Sequence, residues 1–284
     1  MFNKLINKTE LLLSLSNFLK LKEIKNYQQE SQIIITYAGN EENFTDVKFN
    51  KINNNILNSI IDQRLKGKPL SKIIKQKGFW KNIFITDENT LDPRADSEII
   101  IENILNDLSK TMLREYFFID LCCGTGCLGI SILDEVCNAH CDFIDISEKV
   151  IETCKKNISK IQVNKRSKTY ISDLFTNYPK YRLNRANFII CNPPYIPSKN
   201  YLNLDYQTLY DPKLALDGGE DGIDYYIEII NYLKNANFKG DIYFEIDPII
   251  IENLEKFLLE KYLKIVYKKR DYLNLDRLIK ITLP

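Results

Sequence analysis

The stretch Phe117-Phe118-Ile119-Asp120-Leu121-Cys122-Cys123-Gly124-Thr125-Gly126 decides the reading of the fold. It opens with a short apolar run that carries an acid near its end, the pattern of a strand buried on both faces. The glycines that follow let the chain turn tightly and bring its backbone close to a ligand with no Cβ in the way. Leu128, Ile130, Ile132 and Leu133 then recur at helical spacing. Strand, acid, glycine turn and helix in this order predict the ligand-binding turn of a doubly wound fold.

Downstream, Cys141-Asp142-Phe143-Ile144-Asp145-Ile146 predicts a second strand, followed by a helix through Val150, Ile151 and Cys154. Further strands are predicted over 169–172, 188–191 and 242–246, a helix over 249–259, and two successive strands over 265–269 and 277–282. Strands alternating with helices give an α/β class with a mainly parallel, doubly wound sheet. The two closing strands predict an antiparallel hairpin on one edge. Upstream, Leu11, Leu12, Leu15, Phe18 and Leu19, then Ile52, Ile56, Ile60, Ile61 and Leu65, follow helical periodicity. Gly67-Lys68-Pro69 breaks that pattern, and Phe79, Trp80, Ile83, Phe84 and Ile85 suit a short hairpin. A further helix is predicted from Ser97 onward. The expected organisation is a small helical domain over 1–75, a β-hairpin linker over 76–92 and an α/β domain over 93–284.

The 284 residues carry a net charge of +1, with 44% hydrophobic and 27% charged residues. This balance argues against a protein that lives on naked nucleic acid. No apolar run approaches the ~20 residues that span a bilayer, and the amino-terminal segment has no small-residue cleavage site. Seven cysteines, two of them adjacent, suggest reduced thiols and a cytoplasmic location. Cys122, Cys123, Cys127, Cys137, His140 and Cys141 crowd together but form no paired knuckles, so no metal is expected. The acidic run Asp217, Glu220, Asp221 and Asp224 lacks calcium-loop spacing and reads as a surface turn.

Asp145 closes the second strand, where a carboxylate can hold both ribose hydroxyls of a bound nucleoside. Glycine turn and acid together suit a nicotinamide dinucleotide or S-adenosylmethionine. The third glycine of dinucleotide spacing is missing, because Cys127 and Leu128 follow Gly126 and Gly129 falls inside the helix. That difference favours the methyl donor. Asp173, at the end of the third strand, is placed to reach an adenine.

The sharpest motif is Asn192-Pro193-Pro194-Tyr195, directly after the apolar strand Phe188-Ile189-Ile190-Cys191. Two prolines fix their φ angles and leave their carbonyls free to accept hydrogen bonds. Asn192 offers one acceptor and two donors in a plane, which complements a planar amide or a base amino group. Tyr195 supplies a flat face for stacking and for a cationic sulfonium. Such a site methylates a poorly nucleophilic nitrogen by positioning it. The only histidine, His140, is remote in sequence from this loop.

With these motifs in place, the chain resembles the release-factor glutamine methyltransferases along nearly its whole length. Gly67-Lys68-Pro69-Leu70 with Gly78-Phe79-Trp80, Asp92-Pro93-Arg94-Ala95-Asp96-Ser97-Glu98, the segment from Tyr210 to Gly222, and Arg270-Asp271-Tyr272 with Asp276-Arg277 are similar to weaker family signatures in the family's order. The resemblance implies a Rossmann-like, class I S-adenosylmethionine-dependent methyltransferase fold. It implies methylation of the N5 amide of the glutamine in the Gly-Gly-Gln loop of class I peptide-chain release factors. By the same resemblance Asp120, Cys122, Cys123, Gly124, Thr125, Gly126, Asp145, Asp173, Leu174 and Asn192 would line the cofactor. Asn192, Pro193, Pro194 and Tyr195 would hold the glutamine. The chain departs from the family pattern at Cys122 and Cys123, which replace Gly-Thr, at Leu174 and at Pro248. The first two departures bear on cofactor affinity. A monomer without stable nucleic-acid or membrane binding is expected. The alternatives are an adenine-N6 methyltransferase acting on an extruded base, a non-catalytic adenosyl-binding scaffold and, more distantly, a nicotinamide oxidoreductase.

Overall fold

The computed structural model describes residues 8–39, 52–110 and 115–283. The helical reading of 1–7 and 40–51 lies outside them. The chain divides into two compact units, Met1–Lys75 and Gln76–Pro284.

The first unit is helical: α1 (Lys8–Leu21), α2 (Tyr27–Ala38), α3 (Asn54–Leu65) and the short α4 (Leu70–Ile74). Leu11, Leu15 and Leu19 of α1 meet Ile34 and Ile35 of α2 and Leu57, Ile60 and Ile61 of α3 in one apolar core. Asn53 caps α3 by accepting from the Asn55 and Ile56 amides at 3.0 and 3.2 Å. Arg64 of α3 grips Glu30 of α2 with two nitrogens, at 2.7 and 3.1 Å, and only 4% of its side chain is exposed. Gln76 begins the second unit, so the hairpin groups with the α/β unit.

That unit runs β1 (Gln76–Phe79), β2 (Asn82–Ile85), α5 (Glu98–Leu108), β3 (Tyr116–Leu121), α6 (Cys127–Glu135), β4 (Ala139–Asp145), α7 (Glu148–Lys160), β5 (Ser167–Ile171), the single turn α8 (Lys180–Leu183), β6 (Phe188–Cys191), α9 (Asp224–Asn235), β7 (Asp241–Glu245), α10 (Ile251–Glu260), β8 (Ile265–Arg270) and β9 (Asp276–Thr282). Phe79 and Phe84 of the antiparallel β1–β2 hairpin enter the same apolar cluster as α5 and α6. Seven strands form one sheet in the order β5-β4-β3-β6-β7-β9-β8. The first five are parallel, while β9 pairs antiparallel with both β7 and β8. The two closing strands thus form the predicted hairpin, and β8 is an exposed edge strand whose last three residues are Lys268, Lys269 and Arg270.

Alternate residues of each strand serve opposite faces. Phe118, Phe188 and Ile190 pack with α5, α6 and α7. Ile119, Leu121, Ile189 and Cys191 pack with α9 and α10. Several of these side chains are fully buried, each worth roughly 1.5–3 kcal/mol relative to exposure. From β3 the chain winds outward to β4 and β5, then returns to place β6 on the other side of β3. The strand order therefore reverses between β3 and β6. Open α/β sheets bind ligands at such a switch point, beyond the carboxyl ends of the strands.

Candidate active site

Two loops leave the sheet at this reversal. Leu121 is in register with Ile144 on one side and with Cys191 on the other, so Cys122 and Asn192 emerge side by side. The glycine loop takes left-handed backbone at Cys122 (φ 57°), Gly124 (φ 55°) and Gly126 (φ 78°). A Cβ on Gly126 would lie 2.7 Å from Cys154 Sγ, so glycine is required there for conformation and for space. Gly129, in α6, lets the helix approach the sheet closely, since a Cβ there would meet Phe143 at 2.6 Å.

The carboxylates flanking this loop are held by backbone amides. Asp120 is buried and accepts from the Gly129 amide at 2.9 Å. Burial pushes its carboxyl up to about 8, against the pull of that hydrogen bond. Asp145 accepts from the Gly124 amide at 3.1 Å through one oxygen and from the Ser147 amide at 3.1 Å through the other. Burial also raises its carboxyl above the ordinary range. Asn157 of α7, absent from the sequence reading, donates to the carbonyls of Thr125 and Ile85 at 2.9 Å each and accepts from the Ile85 amide at 2.7 Å. One helical side chain thus ties the glycine loop to the hairpin.

A cavity of about 240 Å³ opens over these loops. Its wall includes Cys122, Cys123, Gly124, Thr125, Asp145, Asp173, Leu174, Asn192 and Pro194. Asp120, Gly126, Pro193 and Tyr195 lie outside that lining. The first two belong to the end of β3 and to the glycine turn, and the last two to the loop 192–195, the candidate acceptor loop. Leu174 reaches the cavity on left-handed backbone (φ 43°). The structure adds wall residues that had no site role in the sequence reading: Arg94 and Ser97, which belong to a family signature, with Ile146 and Tyr225. Arg94 is ion-paired with Asp211, whose other oxygen accepts from the Asp92 amide at 3.3 Å. This joins the segment before α5 to the segment beyond the acceptor loop.

The acceptor loop is fixed at its exit. Ile196 forms a parallel bridge with Asp217, donating to the Leu216 carbonyl at 2.9 Å and accepting from the Gly218 amide at 2.8 Å. Ser198 adds hydrogen bonds to the Gly219 carbonyl at 2.8 Å and to Asp217 Oδ1 at 2.6 Å. Burial raises the Tyr195 phenol, and the carboxylates of Glu245 and Asp247 reinforce the shift. The Asn192 amide and the carbonyls of Pro193 and Pro194, by contrast, have no hydrogen-bond partner among the described residues. Asn192 is half-buried at the cavity wall, with its side-chain hydrogen-bonding capacity unspent among the described residues. His140 pairs with Phe117 near the start of β3, at the opposite end of the sheet from Asn192.

Among the described residues no helix is long and apolar enough to cross a membrane. Residues 89–208 match the family model described as methyltransferase small domain. The fold is similar to the hMettl16 catalytic domain solved in complex with a MAT2A 3'UTR hairpin, with a TM-score of 0.54, 13% identity, and coverage of 69% of this chain and 73% of that one. Sequence relatives are much closer. A release factor glutamine methyltransferase of Dictyoglomus turgidum is 28% identical over 96% of this chain and 97% of its own length. One of Leptospira interrogans is 32% identical over 253 residues, covering 86% of this chain and 87% of that relative. A ribosomal protein uL3 glutamine methyltransferase of Francisella tularensis is 30% identical over 60% of this chain and 53% of its own length. Identity at that level across nearly the full length of both chains, on a methyltransferase fold with its two motif loops side by side, makes this chain a member of the release factor glutamine methyltransferase family.

Proposed function

We propose that the chain transfers a methyl group from S-adenosylmethionine to the side-chain N5 amide of the glutamine in the Gly-Gly-Gln loop of a class I peptide-chain release factor. The unpartnered Asn192 amide at the cavity wall, beside two proline carbonyls, carries this reading. The cavity residues fit an adenosyl group. Asp145 stands at the end of β4 for the ribose hydroxyls, and Asp173 lines the wall for the adenine. A Cβ built on Gly124 meets nothing within 4 Å, so the loop backbone is open to a close ligand. Bound S-adenosylmethionine supplies an electrophilic methyl carbon on a sulfonium.

The protein's own task is to present a poor nucleophile. Asn192 Oδ1 and a proline carbonyl each accept one N–H of the glutamine amide, which turns the nitrogen toward the methyl. Fixed dipoles then meet the charge that develops as the new bond forms. The amide proton becomes acidic only with bond formation and passes to water. A strong base at the loop is not required, in keeping with the distance of His140 from it.

Two glutamine-modifying activities occur among the relatives, on release factors and on ribosomal protein uL3. The coverage of the release-factor relatives favours the former. On this reading the enzyme works in the cytoplasm, where its translation-factor substrate acts, and as a monomer. The test is label transfer from S-adenosylmethionine to a class I release factor, its Gln→Ala loop variant, ribosomal protein uL3 and an adenine-containing duplex. Label on the intact factor alone supports the proposal. Label on the duplex or on uL3 would move the substrate while keeping the cofactor.

A further inference from the structure

Two of the seven cysteines meet between the motif loops. Cys191 ends β6, immediately before Asn192, and is fully buried; Cys122 begins the glycine loop and lines the cavity. Leu121 and Cys191 are register partners, so Cys122 lies one step beyond that pair. Strand spacing and rise put the two Cα atoms about 6 Å apart, inside the range of roughly 4.4–6.8 Å that a disulfide spans. In a continuing strand Cys122 would point to the face opposite Cys191. Its left-handed φ of 57° turns it back, and Cys122 packs against the same apolar cluster that holds Cys191. Both side chains thus sit in one apolar cluster, at the point where the two motif loops leave the sheet.

We infer that Cys122 and Cys191 form an oxidisable dithiol, a modification site that reshapes the cavity wall when linked. Its effect on cofactor binding rests on the adenosyl reading of the cavity; its formation does not. Cys122 is the half-buried partner and is reached through the cavity, so it reacts first. Its thiolate attacks hydrogen peroxide, the O–O bond breaks, and hydroxide leaves as Cys122 becomes a sulfenic acid. The Cys191 sulfur then attacks the Cys122 sulfur; the S–S bond forms, and the departing hydroxide takes the Cys191 proton as water. Two thiols and one peroxide give one disulfide and two waters. Burial holds the Cys191 thiol largely protonated, which keeps it from reacting with bulk oxidant; it resolves the sulfenic acid only as its proton passes to the departing hydroxide. The link would fasten the glycine loop to the root of the acceptor loop and displace the Cys122 side chain from the cavity wall. Bound S-adenosylmethionine fills the route to Cys122 and slows the reaction.

The experiment treats the full-length protein with graded hydrogen peroxide, with and without S-adenosylmethionine. Disulfides are then mapped by peptide mass spectrometry, and cofactor affinity is measured by calorimetry. The exposed Cys137 serves as the internal gauge of oxidant dose. The expected result is a Cys122–Cys191 cross-link, suppressed by bound cofactor, with cofactor affinity at least tenfold weaker and restored by dithiothreitol. Cys191→Ala, or Cys191→Val should alanine not fold, should form no such link and should keep its affinity under the same peroxide treatment before any reduction. The inference is overturned if Cys137 oxidises fully with no Cys122–Cys191 link, or if the link joins the neighbouring buried pair Cys123 and Cys154 instead. A link that leaves affinity unchanged overturns the reshaping of the cavity. If the reduced protein binds no S-adenosylmethionine, the adenosyl reading fails, while the mapping still decides the dithiol.

Discussion

The position of the acceptor loop is set by contact with Gly218, and replacing that glycine tests whether position is what the loop contributes. A Cβ at Gly218 would lie 2.7 Å from the Pro194 carbonyl oxygen, 2.7 Å from Tyr195 Cα and 2.9 Å from the Gly222 carbonyl oxygen. All three are backbone atoms, so no flexible side-chain end can swing aside. Ordinary contact begins at 3.4 Å, so Gly218→Ala must displace the loop by about 0.7 Å, and a misplacement near 1 Å can cost a factor of about 100 in rate. The bridge between Ile196 and Asp217 prevents the loop from simply peeling away. Single-turnover methyl transfer should therefore slow by roughly 10- to 100-fold. Overpacking of this kind costs about 1–3 kcal/mol, a fall of roughly 2–10 °C in Tm for a domain of this size. Gly218 is not in the cavity wall, so affinity for S-adenosylmethionine should change less than about twofold. The control is Gly78→Ala, where an added Cβ meets nothing within 4 Å and both readings should match the parent. A Gly218→Ala protein with lowered Tm but turnover within about twofold of the parent would refute the reasoning, because the loop would have moved without consequence.

Asn192→Ala should reduce methyl transfer by at least about 100-fold while cofactor affinity, read by calorimetry, stays within about threefold; retained turnover would remove the amide clamp from the mechanism. Asp145→Ala should weaken cofactor binding by roughly tenfold or more, because it removes the ribose acceptor and frees the Gly124 and Ser147 amides together. Unchanged affinity would withdraw the ribose assignment. Glu245, at the end of β7, is fully buried with one carboxyl oxygen unpartnered among the described residues, and burial lifts it to about 7 from 4.5. The folded chain thus holds a proton that the unfolded chain releases above 4.5, so stability is greatest below that pH and falls as pH rises to about 7. The shift corresponds to about 3 kcal/mol, and Glu245→Gln should flatten the fall in Tm between pH 5 and 8. An equally steep fall in the variant would assign the pH dependence elsewhere.

The parallel strands were legible because a strand buried on both faces shows as a continuous apolar run, as in 117–121 and 188–191. Helix α9 was not. Its apolar residues Tyr226, Ile229, Ile230 and Leu233 begin just beyond an acidic run that reads as a turn, and Asp224 of that run is the first residue of the helix. The glycine loop and Asn192-Pro193-Pro194-Tyr195 carried the site, since their side-chain types restrict the backbone before any tertiary contact forms. Arg94, Ser97 and Tyr225 reach the cavity from other segments of the chain; the signature around Arg94 and Ser97 was visible, but nothing local tied it to the cavity, and no pattern marks Tyr225. Asn157 looks like one more polar residue on a helix; only its packing against the hairpin and the glycine loop reveals its three hydrogen bonds. The meeting of Cys122 and Cys191 depends on strand order. β4 and β5 intervene in the chain between β3 and β6, but not in the sheet.

The charged edge strand also bears on how the protein behaves when crowded. An unpaired strand offers a row of backbone groups to any passing chain. Along β8 those groups come wrapped in engaged cations: Lys268 holds Glu255 at 2.6 Å, Arg270 holds Asp276 at 3.1 Å, and Lys269 lies over the Tyr267 ring. Its pairing with β9 is also interrupted by register shifts near both ends, so the ribbon is not flat. An intruding strand would have to break these pairs, desolvate the cations and follow an irregular ladder. The hairpin therefore works as a selvage, a finished border that keeps the sheet from fraying into fibres or knitting to a neighbour at high concentration.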